Sequence, residues 1–490
     1  MKKIMIAGIS SGCGKTTICC GILKALVNRN LNVTSFKCGP DYIDPMFHSH
    51  IIGTKARNLD GFLLEKDMLQ QLFLKHAKDC DVTVIEGAMG YYDGVAMTDQ
   101  ASSHEIAAIT GTPVILVVSG KGMSRSMLAM LTGYFGFEEH SMIQGVIFNH
   151  IPESMMPELT AFCEQKGVKV LGNFPDIPEA SIESRHLGLV TADEIVHLKE
   201  KVECLAQEAE TQLNLDLLLE IAQTPEETQS HIACCRQHTT RFSENNAGCD
   251  SDASASFSWK ENRRKEIESK NVGKKLRIAV AKDLAFCFYY EDNFDCLREA
   301  GCEIVEFSPM ADLKLPENID GLYLGGGYPE IFAKQLEENV SMRESIKEQI
   351  VQGLVTFAEC GGFLYLHTEL TTQEGITYRM CGSLPGSCFF TEKLQHFGYS
   401  VMTAKEDNLF CGKGEKIRVH EFHRFVSELE QTVFESEKQG RTWGSFVRKK
   451  NLLAGFPHVH FYSHPQLVTN FLHHCEQYQG ERLCIQHLQS

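Results

Sequence analysis

No apolar run in this chain is long enough to cross a lipid bilayer. No apolar core with a cleavage site follows Met1-Lys2-Lys3, which lead straight into a strand, so no export signal is expected. Basic charge is also short. The 47 Lys and Arg against 64 Asp and Glu leave a formal charge of −17, which lacks the basic footprint that nucleic acid or an anionic membrane requires. An anionic small substrate stays open, because a local basic pocket fits within an acidic protein. A disulfide framework is missing too: the 19 cysteines are odd in number and read as reduced thiols, mostly small core residues. These absences together predict a cytoplasmic protein. The remaining composition, 43% hydrophobic and 23% charged over 490 residues, is that of a globular chain of two or three domains.

The most informative stretch is residues 8–17, GISSGCGKTT. An apolar run, Ile4 to Ala7, leads into Gly8, and Gly14-Lys15-Thr16 opens a helix-forming segment. Strand, glycine-rich turn and helix N-terminus form a phosphate-binding loop: backbone N–H groups and the helix dipole hold phosphate oxygens. Lys15 adds a point charge, and the Thr16 hydroxyl suits Mg²⁺. Gly14 lies six positions after Gly8, one more than G-x-x-x-x-G-K-[ST] has. The loop therefore differs from that of motor ATPases and GTPases but still predicts a bound nucleoside triphosphate.

Residues 1–190 alternate apolar strands (33–37, 82–86, 113–118, 143–149) with helical segments (15–28, 65–78, 124–135, 155–166). That order predicts a parallel sheet covered on both faces, with ligands at the carboxyl ends of its strands. Polar residues gather there. Lys37-Cys38-Gly39-Pro40-Asp41-Tyr42-Ile43-Asp44-Pro45 sets two aspartates in a stiff loop, as Mg²⁺ or substrate contacts or as ordinary turn residues. Glu86, ending a strand before Gly87-Ala88-Met89-Gly90-Tyr91-Tyr92-Asp93-Gly94, is a second Mg²⁺ contact of the Walker-B kind or a carboxylate reaching solvent. Ala56-Arg57-Asn58-Leu59-Asp60 reads as a short polar connection. Arg185 in Arg185-His186-Leu187-Gly188-Leu189 either meets an anion or is exposed. Residues 191–222 are amphipathic and helical.

From about 223 to 274 the composition turns to Thr, Gln, Ser, Asn, Glu and Lys, too polar for a core and expected to be a disordered linker. His231, Cys234, Cys235 and His238 within it match no standard zinc spacing. From Leu276 a second α/β unit is expected, with strands at 276–281, 303–307, 320–324 and 354–359 and helices at 291–300 and 341–352. Its turns carry chemistry. Gly325-Gly326-Gly327 lets backbone amides approach a ligand and stabilise an oxyanion. Cys360, between a strand and a helix in Ala358-Glu359-Cys360-Gly361-Gly362, is placed as a nucleophile whose thiolate the helix N-terminus favours. His458 or His460, in Pro457-His458-Val459-His460-Phe461, supplies the base. A cysteine elbow with a distant histidine is an acyl-transfer arrangement.

Outside the linker the chain resembles the cobyrinic acid a,c-diamide synthases. The long loop ending GKTT, KCGPDYIDP, ARNLD, IEGAMGYYDG and RHLGL stand in that family's order, followed by GGGYPE, AECGGFLYL, FGY at 397–399, HEFH at 420–423 and HVHF at 458–461. Departures from the family's pattern are Ser119-Gly120 in place of an Asp-Ala pair, and Val419 and Arg424 flanking HEFH. The resemblance implies an N-terminal P-loop parallel-sheet domain similar to dethiobiotin synthetase (1–222), the linker (223–274) and a class I glutamine amidotransferase α/β domain (275–480).

It further implies ATP- and Mg²⁺-dependent amidation of the a and c carboxylates of cobyrinic acid with L-glutamine as nitrogen donor. Gly12, Gly14, Lys15, Thr16 and Thr17 would bind ATP, and Thr16, Asp41 and Glu86 the metal. Tyr42, Asp44 and Asp93 would place the macrocycle arm. Cys360 would be the glutaminase nucleophile and His458 its base, with Gly326, Gly327 and Gly361 amides at the oxyanion. Many amidotransferases carry a glutamate two residues after that histidine; here His460 stands there, which leaves open what orients His458. Amidation of a related tetrapyrrole (hydrogenobyrinate or a nickel sirohydrochlorin) is the alternative within the class, and a ParA-like switch the one outside it. No nucleic-acid or membrane partner is expected, and a homodimer is one possible assembly.

Overall fold

The computed structural model describes residues 1–180, 192–223, 275–464 and 466–489, with backbone alone for 192–195 and 485–489. The chain divides into two compact units. Arg185 and its neighbours lie outside the described residues, as does all of the expected linker except Gln223.

The first unit runs β1 (Lys2–Gly8), α1 (Lys15–Asn28), β2 (Val33–Cys38), α2 (Ile43–Phe47), β3 (Lys55–Leu59), α3 (Lys66–Ala77), β4 (Val82–Glu86), α4 (Ser103–Thr110), β5 (Val114–Ser119), α5 (Ser126–Gly136), β6 (Ile143–Asn149), α6 (Met156–Gln165), β7 (Lys169–Phe174), α7 (Ala192–Gln212) and α8 (Leu215–Ile221). Its strands form one seven-stranded sheet, β3-β2-β4-β1-β5-β6-β7, with every pairing parallel. Strands β1, β2 and β4 are almost wholly buried, which is why they read as unbroken apolar runs. Helix α1 packs Ile18, Ile22 and Leu26 into a core shared with Val202, Leu205 and Ala209 of α7. Helix α4 starts on a Ser102 N-cap: Ser102 accepts the Glu105 N–H at 2.9 Å, and Glu105 accepts the N–H of the preceding Ala101 at 2.6 Å.

The polar stretch at 56–60 is not a connection. Residues 55–59 form β3, which pairs with β2 at the end of the sheet. Ala56 and Asn58 are buried on one face and Leu59 on the other, while Lys55 is exposed and Arg57 half-buried; the polar residues among them hid the strand.

The second unit runs β8 (Arg277–Ala281), α9 (Glu291–Glu299), β9 (Glu303–Phe307), β10 (Gly321–Leu324), α10 (Ala333–Glu338), α11 (Val340–Val351), β11 (Val355–Glu359), α12 (Gly361–Leu366), β12 (Glu369–Thr371), β13 (Thr377–Arg379), β14 (Ser387–Ala404), β15 (Lys416–Ser427), β16 (Phe434–Lys438), β17 (Arg441–Ser445), β18 (Val447–Lys449), β19 (Leu452–Gly455), β20 (His458–Val459) and α13 (Leu467–Gln489). A six-stranded sheet has the order β18-β19-β11-β10-β8-β9, parallel except for the β18–β19 pair. A second sheet, β13-β12-β14-β15-β20 with β16 paired to β14 and β17 to β16, completes the unit. Among the described residues no helix is long and apolar enough to cross a membrane.

Candidate active site

In the first unit the polar residues collect where β1, β2 and β4 end, because parallel strands deliver their carboxyl ends to one edge. Gly14 enters α1 with φ of 92°, and a Cβ there would stand 2.1 Å from Asn149 Nδ2. Only glycine fits so tight a left-handed turn. Asn149, ending β6, donates to the Cys13 carbonyl at 2.8 Å and pins the loop from below; Tyr134 of α5 donates to the Ile9 carbonyl at 2.5 Å. Gly12 has φ of 75°, and a Cβ there would meet nothing within 4 Å, so the loop crest is open to a ligand. Lys15, nearly buried, reaches back to the Met89 carbonyl at 3.3 Å.

Behind the loop lies a buried charge cluster that sequence reasoning did not assemble. Lys37 and Glu86 are register partners on β2 and β4, and the Lys37 ammonium sits 2.8 Å from Glu86 and 2.6 Å from Asp44. Thr16 donates to Glu86 Oε1 at 2.7 Å, and His48 Nε2 lies 3.2 Å from Glu86 Oε2. Glu86 is fully buried, Lys37 is 5% and Asp44 8% exposed. Burial alone would raise Glu86, but the Lys37 ammonium, with His48 and Lys15, holds it well below the usual carboxylate range. Burial would likewise lower Lys37, yet Glu86 and Asp44 hold it well above its ordinary value. Asp44 goes the other way: burial, then the Glu86 charge, push it up to about 6 against the pull of Lys37. The cluster is thus an ion pair with a second carboxylate poised to take a proton.

The expected site residues are distributed around this core. Thr16 and Glu86 touch. Asp41 spends Oδ1 on the Ile43 and Asp44 N–H groups, at 2.8 and 3.2 Å, and its charge reaches Lys37 and Asp44. Tyr42 is buried. Asp93 is exposed and accepts the Gly90 N–H at 2.8 Å. Thr17 lies half-buried in the first turn of α1. Hard oxygen donors, the Thr16 hydroxyl and the Glu86 carboxylate, are a donor set that suits Mg²⁺. A cleft of about 570 Å³ opens at the ends of β5 and β6, lined by Gly120, Lys121, Ser124, His150, Pro152 and Asp176.

In the second unit β11 ends at Glu359 and turns sharply at Cys360, whose φ of 47° and ψ of −103° are costly for a residue with a Cβ, by about 1–3 kcal/mol. The elbow persists because it is held at both ends: the Cys360 N–H donates to the Gly455 carbonyl at 2.8 Å and the Gly362 N–H to Gly325 at 2.9 Å. The glycine triplet closes over it. A Cβ on Gly361 would stand 3.0 Å from the Gly327 nitrogen, and one on Gly326 would stand 2.5 Å from His458 Cε1. The residues expected at 326, 327, 360, 361 and 458 therefore share one small volume.

The two histidines of HVHF separate. His458 lies in β20 opposite His420 of β15. Burial would lower it, but Cys360, to which it hydrogen-bonds, and Glu359 hold it up at about 10. His460 packs on Tyr290, centroids 4.8 Å apart, and burial pushes it down to about 4 against the opposing Asp292 carboxylate. Asn293 of α9 fixes this segment, donating to the Val459 carbonyl at 2.9 Å and accepting the Phe461 N–H at 2.7 Å. Sequence reasoning missed Lys37, Glu359 and Asn293. For the first two the signal was present, a charged side chain at the last inward position of a buried strand; Asn293 carried none.

Two family models match the chain. Residues 4–189 match the CobQ/CobB/MinD/ParA nucleotide binding domain and residues 277–466 the CobB/CobQ-like glutamine amidotransferase domain, so the chain is a glutamine-dependent amidotransferase ligase with a nucleotide site. It is 40% identical over 478 residues to the cobyrinate a,c-diamide synthase of Listeria innocua, covering 96% of this chain and 98% of that one. It is 38% identical to that of Streptococcus sanguinis (97% and 100%) and 37% to that of Thermoplasma volcanium (98% and 98%). A glutamine amidotransferase structure from Thermotoga maritima, 17% identical, covers 42% of this chain and 95% of its own with a TM-score of 0.30. The chain belongs to the cobyrinate a,c-diamide synthase family.

Proposed function

We propose that the protein amidates the a and c side-chain carboxylates of cobyrinic acid, taking ammonia from glutamine and driving each step with ATP. The observation that carries this reading is the pairing, in one chain of this family, of a phosphate loop backed by Thr16 and Glu86 with a strained cysteine elbow facing His458. A carboxylate is inert to ammonia at neutral pH, so it must first be given a leaving group. In this reading the substrate carboxylate takes the γ-phosphoryl group of ATP lying on residues 12–17, and Lys15 offsets charge as the phosphoryl group passes. Thr16, Glu86 and Asp41 would hold Mg²⁺, which would supply charge neutralisation on the phosphates. The cleft at Gly120–Ser124 and His150 accommodates the nucleoside. Tyr42, Asp44 and Asp93 would place the macrocycle arm, with Asp44 acting from beneath through Lys37.

At the second site the Cys360 thiolate attacks the glutamine carboxamide, and the Gly326, Gly327 and Gly361 amides face the oxyanion. His458 carries the proton to the leaving ammonia, and water then frees glutamate from the thioester. The test is mass spectrometry of the product formed from cobyrinic acid, ATP and glutamine. A mass lower by two OH-to-NH₂ exchanges, mapped to the a and c arms, supports the reading; an unchanged macrocycle alongside amidation of another tetrapyrrole overturns it.

A further inference from the structure

We propose that Glu359, the residue immediately before the nucleophile, is the positioning carboxylate of the glutaminase site, holding His458 from the nucleophile's own strand. This rests on the assignment of Cys360 and His458 above. Glu359 Oε1 lies 3.7 Å from His458 Nδ1, and both side chains are buried, at 0% and 2% exposure. The carboxylate is itself fixed: Tyr323 donates to Oε1 at 2.8 Å and the Val459 N–H to Oε2 at 3.1 Å. The second of these bonds ties it to the backbone of β20, next to the histidine it faces. Asn293 braces the same pair of elements, 3.4 Å from the Tyr323 hydroxyl and bound to Val459.

The position two residues after His458 does not compete for the role. His460 there faces Asp292, at 3.9 Å, and Tyr290. Among the described residues, the groups that act on His458 are Cys360 and Glu359 at the end of β11, with His420 across from it on β15. Glu359 is the carboxylate among these, and Lys438 acts on His420. An imidazolium formed when Cys360 gives up its proton therefore faces the Glu359 carboxylate as well as the thiolate. A spacing of 3.7 Å is loose for a hydrogen bond, as catalytic contacts often are before substrate tightens them.

The test uses full-length Glu359→Gln and Glu359→Asp. Glutamine keeps the size and one acceptor oxygen but removes the charge; aspartate keeps the charge one methylene shorter. For Glu359→Gln, kcat for glutamine hydrolysis should fall about a hundred-fold with KM little changed, and the alkaline limb of the pH profile for that hydrolysis, where the His458 imidazolium loses its proton, should move down by about one pH unit because a charge that holds His458 up is gone. Glu359→Asp should restore the limb while recovering only part of kcat. A purely structural role would lower the melting temperature and leave the limb in place, so Glu359→Gln with a wild-type limb overturns the proposal whatever its stability. Full glutamine hydrolysis by Cys360→Ala would overturn it too, and is distinguishable because it removes the nucleophile assignment first.

Discussion

Replacing Lys37 with methionine should expose how the nucleotide unit handles its buried charge. The ammonium stands between Glu86 and Asp44, at 2.8 and 2.6 Å, with all three side chains shut away from water. Methionine fills most of the volume but leaves a fully buried carboxylate with Thr16 and His48 for company. Breaking a buried pair in this way costs about 3–5 kcal/mol, far more than a surface pair. Part of that cost is absorbed, because Asp44, already at about 6, loses the cation that opposes protonation and takes up a proton. The mutant's native state then still binds, toward neutrality, a proton that its unfolded state has released by about pH 4, so its stability falls as pH rises. The deficit of Lys37→Met relative to wild type should thus grow between pH 6 and pH 8 in urea unfolding of the full chain. Adding Glu86→Gln should recover a large part of it, giving a coupling energy of about 1–3 kcal/mol. A deficit under about 1 kcal/mol, or one independent of pH, would contradict the buried-pair account.

Three buried histidines of the amidotransferase unit make a second pH prediction. His460 and His367 are each held at about 4 and His420 at about 3, in every case by burial first. They are neutral when folded and protonate more readily when unfolded. Their contribution is whole above about pH 6.5 and is lost as pH falls below it, about 3 kcal/mol for a site held at 4; the melting temperature of this unit should drop between pH 6.5 and 4, and a flat profile would refute it. At the phosphate loop, Gly14→Ala puts a Cβ 2.1 Å from Asn149 Nδ2 at φ of 92°. It should cost about 1–3 kcal/mol and abolish ATP binding by calorimetry; wild-type binding would show that the loop does not hold the phosphates.

Much of this was legible in the chain. The parallel sheet of the first unit declares itself because β1, β4 and β5 are buried on both faces and read as unbroken apolar runs. The elbow at Cys360 declares itself through the glycines that follow it. Strand β3 stayed hidden because Lys55, Arg57 and Asn58 resemble loop, although Asn58 is buried in it. The second sheet of the amidotransferase unit was unread for a related reason: β14 is mostly exposed or half-buried over its 18 residues, so its polar and aromatic residues carry no clear period. Lys37, Glu359 and Asn293 were missed because each works through neighbours remote in sequence. Lys37 meets Glu86 only through strand register, and Glu359 meets His458 only when β20 folds back beside β11.

In the proposed reaction one site activates a carboxylate and the other supplies ammonia. The most direct measurement is amidation of cobyrinic acid with glutamine or ammonium chloride as nitrogen source, in wild type, Cys360→Ala and Lys15→Ala. Cys360→Ala should lose the glutamine-dependent reaction and keep the ammonia-dependent one, whereas Lys15→Ala should lose both. Glutamine-dependent turnover by Cys360→Ala, or ammonia-dependent turnover by Lys15→Ala, would contradict the proposed reaction.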